Sequence, residues 1–180
     1  MKRFLCVCLV LLAGCAGLQK RADLPWPASV TSIETEGDIE MAWKDAKFSG
    51  SMALKMEYPD TLTLEVYGAF GQTLVFLNKH GSEFLFVAGD EKITSENVFH
   101  QRIGIDVKHF MDDIAMRGDK VDTPGGAYIA RDDYRVTYGH DKRGRRMIRW
   151  EGKEGRIWLT LADETFNGGS TGGGNRSRNP

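Results

Sequence analysis

The chain has 180 residues, of which 41% are hydrophobic and 10% aromatic, with 24 basic side chains against 25 acidic and a formal net charge of −1. That balance lacks the basic excess of a nucleic-acid binder and the low hydrophobicity of a disordered chain. The length suits one domain with a full core.

At the start of the chain, Lys2 and Arg3 precede an apolar run over residues 4–12 that ends in small residues. The run is too short to span a bilayer as a mature helix and reads as a signal peptide over residues 1–14. Leu12-Ala13-Gly14-Cys15 resembles the lipobox of bacterial lipoproteins. The resemblance implies cleavage after Gly14 and acylation of Cys15, palmitate being a typical chain; the alternative is an ordinary secretory signal with an incidental cysteine. Each buried methylene contributes ~0.8 kcal/mol, so two or three chains anchor a protein stably where one does not. Ala16, not Asp, follows the cysteine, which by analogy with enterobacterial sorting implies the periplasmic face of the outer membrane. Cleavage removes Cys6 and Cys8, leaves no pair for an intramolecular disulfide, and takes the basic residues from 24 to 22 against 25 acidic.

Residues 15–28, with Pro25 and Pro27 among polar neighbours, read as a tether. Residues 167–180 carry Gly172-Gly173-Gly174 and no apolar side chain, so a disordered Gly-rich tail is expected there. Between them, residues 29–166 form the folded body. Its period is two: Ile39, Met41 and Trp43 alternate with polar residues, as do Met52, Leu54 and Met56, then Leu62, Leu64 and Val66. Tyr58-Pro59-Asp60 and Asn78-Lys79-His80-Gly81 mark turns, and Gly68-Ala69-Phe70-Gly71 interrupts the run. Thr73 to Leu77 and Glu83 to Ala88 follow as nearly continuous apolar strands.

The pattern changes after Gly104. Val107, Phe110, Met111 and Ile114 stand at helical spacing, with Asp106 as N-cap and Gly118 as terminator. Strands resume with Tyr134, Val136 and Tyr138, turn at residues 140–144, return through Met147 to Trp150, and close with Ile157, Leu159 and Leu161. One amphipathic helix among seven or so strands predicts a mainly β (α+β) fold, with the helix across one face of a curved antiparallel sheet. Strands apolar on both sides imply either two covered faces or one face lining an apolar cavity.

Gly50-Ser51-Met52-Ala53-Leu54, the stretch Pro59-Asp60-Thr61-Leu62-Thr63-Leu64-Glu65-Val66-Tyr67-Gly68-Ala69-Phe70-Gly71-Gln72, and the helix near residues 105–118 resemble the LolB-like members of the LolA/LolB lipoprotein-localisation family. The order of elements matches over roughly residues 30–165, and the motif similarity over 50–86. The resemblance implies an incomplete antiparallel β-barrel closed by one or more helices, holding an apolar cavity for acyl chains. It implies a monomer that takes lipoproteins from a periplasmic carrier. Where the family carries an exposed leucine that enters the membrane, this chain has Phe70. Its alternatives are a membrane-contact tip and a ring folded back into the sheet end. The expected cavity lining is Leu62, Leu64, Val66, Leu74, Phe76, Phe84, Phe86, Phe110 and Ile114. The C-terminal half departs from the family in its short strands and added tail.

No catalytic, metal or cofactor pattern stands out. His80, His100, His109 and His140 lie far apart without a thiol nearby. Asp112-Asp113 and Asp132-Asp133 read as solvated surface. Neither a nucleophile elbow nor a phosphate loop is present. Lys142-Arg143-Gly144-Arg145-Arg146 is a basic turn, either solvated or directed at anionic headgroups or an acidic partner. The expected role is non-catalytic handling of acyl chains at the outer membrane. The alternatives are an envelope adaptor of the same fold and, disfavoured by the missing signatures, a lipid-anchored hydrolase.

Overall fold

A computed structural model describes residues 25–44, 46–167 and 169–170. The expected signal peptide, Cys15 and the last ten residues lie outside them. Alternating apolar and polar side chains give eleven strands in one antiparallel sheet. They are β1 (Ser32–Trp43), β2 (Ala46–Glu57), β3 (Thr61–Tyr67), β4 (Thr73–His80), β5 (Glu83–Ala88), β6 (Glu91–Ile93), β7 (Lys120–Thr123), β8 (Gly126–Ala130), β9 (Tyr134–His140), β10 (Arg146–Gly152) and β11 (Gly155–Phe166). The order across the sheet is β6-β5-β4-β3-β2-β1-β11-β10-β9-β8-β7, and a two-residue strand β12 (Gly169–Ser170) adds to β11. The path is open, because β6 and β7 do not pair, and the architecture is compatible with an incomplete barrel.

Curvature has a local cause in the long central strands. Gly37 and Gly50 sit mid-strand, where a Cβ would run into the carbonyl oxygens of Thr160 and Tyr67. Only glycine permits that approach of neighbouring strands, and sheets bend at such positions. The concave face gathers Ile39, Leu54, Leu62, Val66, Val136, Tyr138, Ile148 and Leu159, all buried.

Two helices cover this face where the sequence predicted one. The first, α1 (Glu96–Ile103), buries Phe99 against Phe84 and Phe86, with ring centroids 5.3 and 4.9 Å apart. The second, α2 (Val107–Ile114), follows its predicted spacing, and Val107, Phe110, Met111 and Ile114 are buried. The Asp106 side chain accepts from His109 N at 2.8 Å and caps α2 as expected, an interaction worth about 1 kcal/mol. The helix ends four residues short of Gly118. Tyr138 Oη donates to the carbonyl of Asp113 at 2.7 Å, and Met116, at φ 58°, is the last buried residue before the chain returns to the surface.

Asp113 corrects the expectation of a solvated pair. Its side chain is fully buried, while Asp112 is half-buried and Asp132 and Asp133 are exposed. Asp113 Oδ1 accepts from Arg131 Nε at 3.0 Å and Nη2 at 2.6 Å, and Oδ2 accepts from Tyr134 Oη at 2.9 Å and Trp150 Nε1 at 3.0 Å. Burial pushes its carboxyl above the usual carboxylate range, against the opposing pull of Arg131, Trp150 and Tyr134. Trp26 and Pro27, placed in the tether by sequence, are half-buried. The Trp26 ring packs edge-on against Tyr138 at 5.6 Å, and its Nε1 donates to Gly139 O at 3.3 Å. Asn167 is likewise held: its Oδ1 accepts from Thr31 N at 2.7 Å.

Removing the buried carboxylate strands a guanidinium and two further donors, a loss of roughly 3–5 kcal/mol. Asp113→Ala is therefore expected to lower the unfolding free energy by that amount, which moves the urea midpoint down with little change in slope, measured by equilibrium unfolding.

Candidate functional site: an apolar cavity and its polar neighbour

An apolar cavity of about 300 Å³ lies between the concave face and the helices. The sheet contributes Ile39, Met41, Phe48, Leu64, Val66, Leu74, Val75, Leu77, Phe86, Ala88, Glu91 and Ile157; the helical segment contributes Phe99, Ile103, Ile105, Val107 and Phe110. Glu91 alone among them carries a charge, and its carboxylate is engaged by Arg102 Nε at 2.8 Å.

Of the predicted lining, Leu64, Val66, Leu74, Phe86 and Phe110 reach this space. Leu62, Phe84 and Ile114 are buried, yet they fill the solid part of the core and do not line the cavity. Phe76 is a correction: it is half-buried on the opposite face of β4, in register with Glu65 and Val87. The reason is a register shift between β3 and β4, where Val66 pairs with Val75 and Tyr67 with Thr73. Leu74 is the extra residue of a bulge, so the inward phase of β4 passes to Val75 and Leu77. Leu74 and Val75 both border the cavity although they are adjacent in sequence.

Sequence reasoning missed α1 and the residues it supplies. Phe99 and Ile103 stand four apart after Ser95-Glu96, which is a helix-start pattern. The surrounding Glu96, Asn97, His100, Gln101 and Arg102 hid it. In the structure α1 is held by Lys79 Nζ on Glu96 Oε1 at 2.7 Å and by Trp43 Nε1 donating to Ile103 O at 3.1 Å.

Phe70 lies at the tip between β3 and β4 and is 95% exposed, the extreme among the large hydrophobic side chains described. The tip is closed by Gly68 N donating to Gln72 O at 2.8 Å and Gly71 N to Gly68 O at 2.9 Å, with Gly71 at φ 76°. Phe70 N donates to Gln72 Oε1 at 3.1 Å. The backbone is thus fixed while the ring meets solvent.

A second, polar cleft of about 940 Å³ adjoins the cavity and shares Ile105, Phe110 and Ile157 with it. Trp43, Trp150 and Tyr134 form apolar wall, while Lys44, Lys153, Arg131, Asp106, Asp132, Asp133 and Glu154 bring both signs of charge. His100 and His109 also line it. Among the described residues, no three His, Cys, Asp or Glu side chains gather as metal ligands, and no helix is long and apolar enough to cross a membrane.

The basic turn is largely spoken for. Arg145 pairs with Asp141 at 2.9 Å and Asp38 at 2.8 Å; Arg146 is buried against Trp26 and Phe166 and pairs with Glu164. Lys142 and Arg143 remain exposed at the tip. Burial works to raise the Asp141 carboxyl, but its bonds from Arg145 and from Arg143 N outweigh that and hold it below the ordinary value. A carboxyl depressed on folding stabilises above its unfolded value, near ~3.9, and loses that contribution as pH falls through the folded value. Asp141→Asn is therefore expected to melt below the wild type at pH 7. The difference is expected to close as the pH falls through and below the folded value, followed by circular dichroism.

No protein-family model matches the chain, and no curated protein shows significant similarity to it.

Proposed function

We propose that this chain is a non-catalytic, lipid-anchored envelope lipoprotein that binds acyl chains and accepts or inserts lipoproteins at the periplasmic face of the outer membrane. The observation that carries the reading is the apolar cavity between sheet and helices, with one engaged carboxylate in its wall. An apolar hollow of this kind favours hydrocarbon over water. The LolB-like pattern in residues 50–72 and the lipobox-like Leu12-Ala13-Gly14-Cys15 support the same reading from the sequence. With each methylene given the ~30 Å³ of a liquid water, 300 Å³ holds roughly ten methylenes, a single chain rather than two or three. Accepting a multiply acylated protein thus means one tail enters this space and the others stay at the surface or displace α1.

Affinity, not chemistry, drives such a transfer. A chain moves from the carrier into the cavity and from there to the bilayer, each step being downhill in free energy. Phe70 suits the last step, since an aromatic ring on a fixed tip loses little order on entering lipid. Its insertion contributes about 1.5–3 kcal/mol.

Leu74→Trp puts an indole into the cavity from the bulge. It is expected to abolish binding of dodecanoate, measured by titration calorimetry, while the fold survives by circular dichroism. Unchanged binding would show that the chain lies elsewhere. Phe70→Glu is expected to leave the melting temperature and dodecanoate binding unaltered. In the unacylated Cys15→Ser chain, where no anchor masks the tip, flotation with phospholipid vesicles should fall about tenfold or more, as loss of ~1.5–3 kcal/mol requires. A variant that floats as well as the wild type would remove Phe70 from membrane contact. A protein that binds no hydrocarbon at all would instead fit an adaptor of the same fold.

A further inference from the structure

The polar cleft is not used by the reading above, and its position gives it a use. It adjoins the apolar cavity, with Ile105, Phe110 and Ile157 bordering both, so a molecule with its tail among Leu64, Leu74 and Phe99 would have its head, past Ile105 and Phe110, at the cleft. Both signs of charge meet it there. Lys44 and Lys153 stand against Asp132, Asp133 and Glu154, and the ion pairs among them are long and exposed: Lys44 to Glu154 is 3.9 Å and Lys153 to Asp133 is 3.5 Å. Such pairs exchange readily for a ligand's charges.

One cation in the wall is fixed rather than loose. Arg131 turns Nε and Nη2 to the fully buried Asp113, and Nη2 also to Arg117 O at 2.8 Å. Nη1 is left without a protein partner among the described residues. Tyr134 and Trp150, bound to the same carboxylate, make the adjoining surface equally rigid. A wall held from beneath by a buried anion is preorganised for recognition. Its sign mixture excludes a simple anion: the carboxylates of Asp132, Asp133 and Glu154 would repel a head that carried only negative charge.

We infer that the cavity and cleft together form one bipartite site for a single-chain zwitterionic phospholipid, a monoacyl glycerophosphoethanolamine. Its chain occupies the apolar space, its phosphate faces Arg131 and Lys44, and its ammonium faces Asp132 and Asp133. The inference rests on the acyl-chain reading of the cavity and adds the head that the site selects. A primary ammonium offers three donors to the carboxylates, and the phosphate offers acceptors to the guanidinium.

Binding to the full-length chain is measured by native mass spectrometry with three probes of equal chain length. These are lauroyl glycerophosphoethanolamine, lauroyl glycerophosphoglycerol and dodecyl maltoside. The ethanolamine lipid is expected to bind about tenfold more tightly than the other two, the scale of one charge-assisted hydrogen bond. In the exposed double variant Lys44→Gln with Asp132→Asn, that preference should fall to about twofold or less, with dodecyl maltoside affinity unchanged as the control for folding. Free phosphoethanolamine should not compete. Equal affinity for all three heads would overturn the inference and leave the acyl-chain reading standing, and tighter binding of the glycerol head would overturn it in favour of an anion site. Competition by free phosphoethanolamine would make the cleft a site for small phosphate esters. Failure of every probe, the maltoside included, would sink the acyl-chain reading itself.

Discussion

The architecture turns on one buried carboxylate. Asp113 projects from α2 into the concave face and gathers donors from the segment after β8, from β9 and from β10, while its own carbonyl takes the Tyr138 hydroxyl. Four apolar side chains would press α2 against the sheet in many orientations, since hydrophobic contact is non-directional. The hydrogen bonds select one. Burying such a charge is costly and adds little net stability over an apolar replacement of equal shape. What it supplies is position: the roof of the cavity is set relative to β8–β10, and Phe110 is laid against Trp150 at 5.0 Å.

The two halves of the sheet differ in consequence. Beneath α2, Tyr138, Ile148, Trp150 and Leu159 are buried, and none of the four lines the apolar cavity. Beneath α1 the bulge at Leu74 pushes an extra residue into β4 and changes its inward phase. There α1 reaches the sheet through Phe99 and leaves unfilled volume beside it. A helix anchored by apolar contact, two ion pairs near the surface and one hydrogen bond yields more easily than one pinned by a buried carboxylate. The hollow and the weaker roof therefore coincide.

Much of the sheet was legible in the sequence because inward and outward residues alternate under simple pressure of burial. Leu62, Leu64 and Val66 announce their face unambiguously, and the Asp106 cap announces α2. Phe76 did not, since a bulge is a property of the ladder between two strands and one strand alone carries no sign of it. Asp113 was indistinguishable from Asp133: each is the second member of an acidic pair, and only the fold brings Arg131, Tyr134 and Trp150 around one of them. The basic turn misled for the same reason, because its partners Asp38 and Glu164 are remote in sequence. Phe70 was open in the sequence between membrane contact and a ring folded back into the sheet end, and the structure leaves the ring exposed rather than folded back.

Trp26 has one more consequence. By docking on Tyr138 and Phe166 it brings the body's boundary forward to about residue 25. Ten residue steps then separate Cys15 from Pro25, a leash of at most ~35 Å when fully drawn out. Under the proposed anchoring, the point where the chain enters the body stands no farther than that from the bilayer, so the body keeps to the membrane's near side of the compartment.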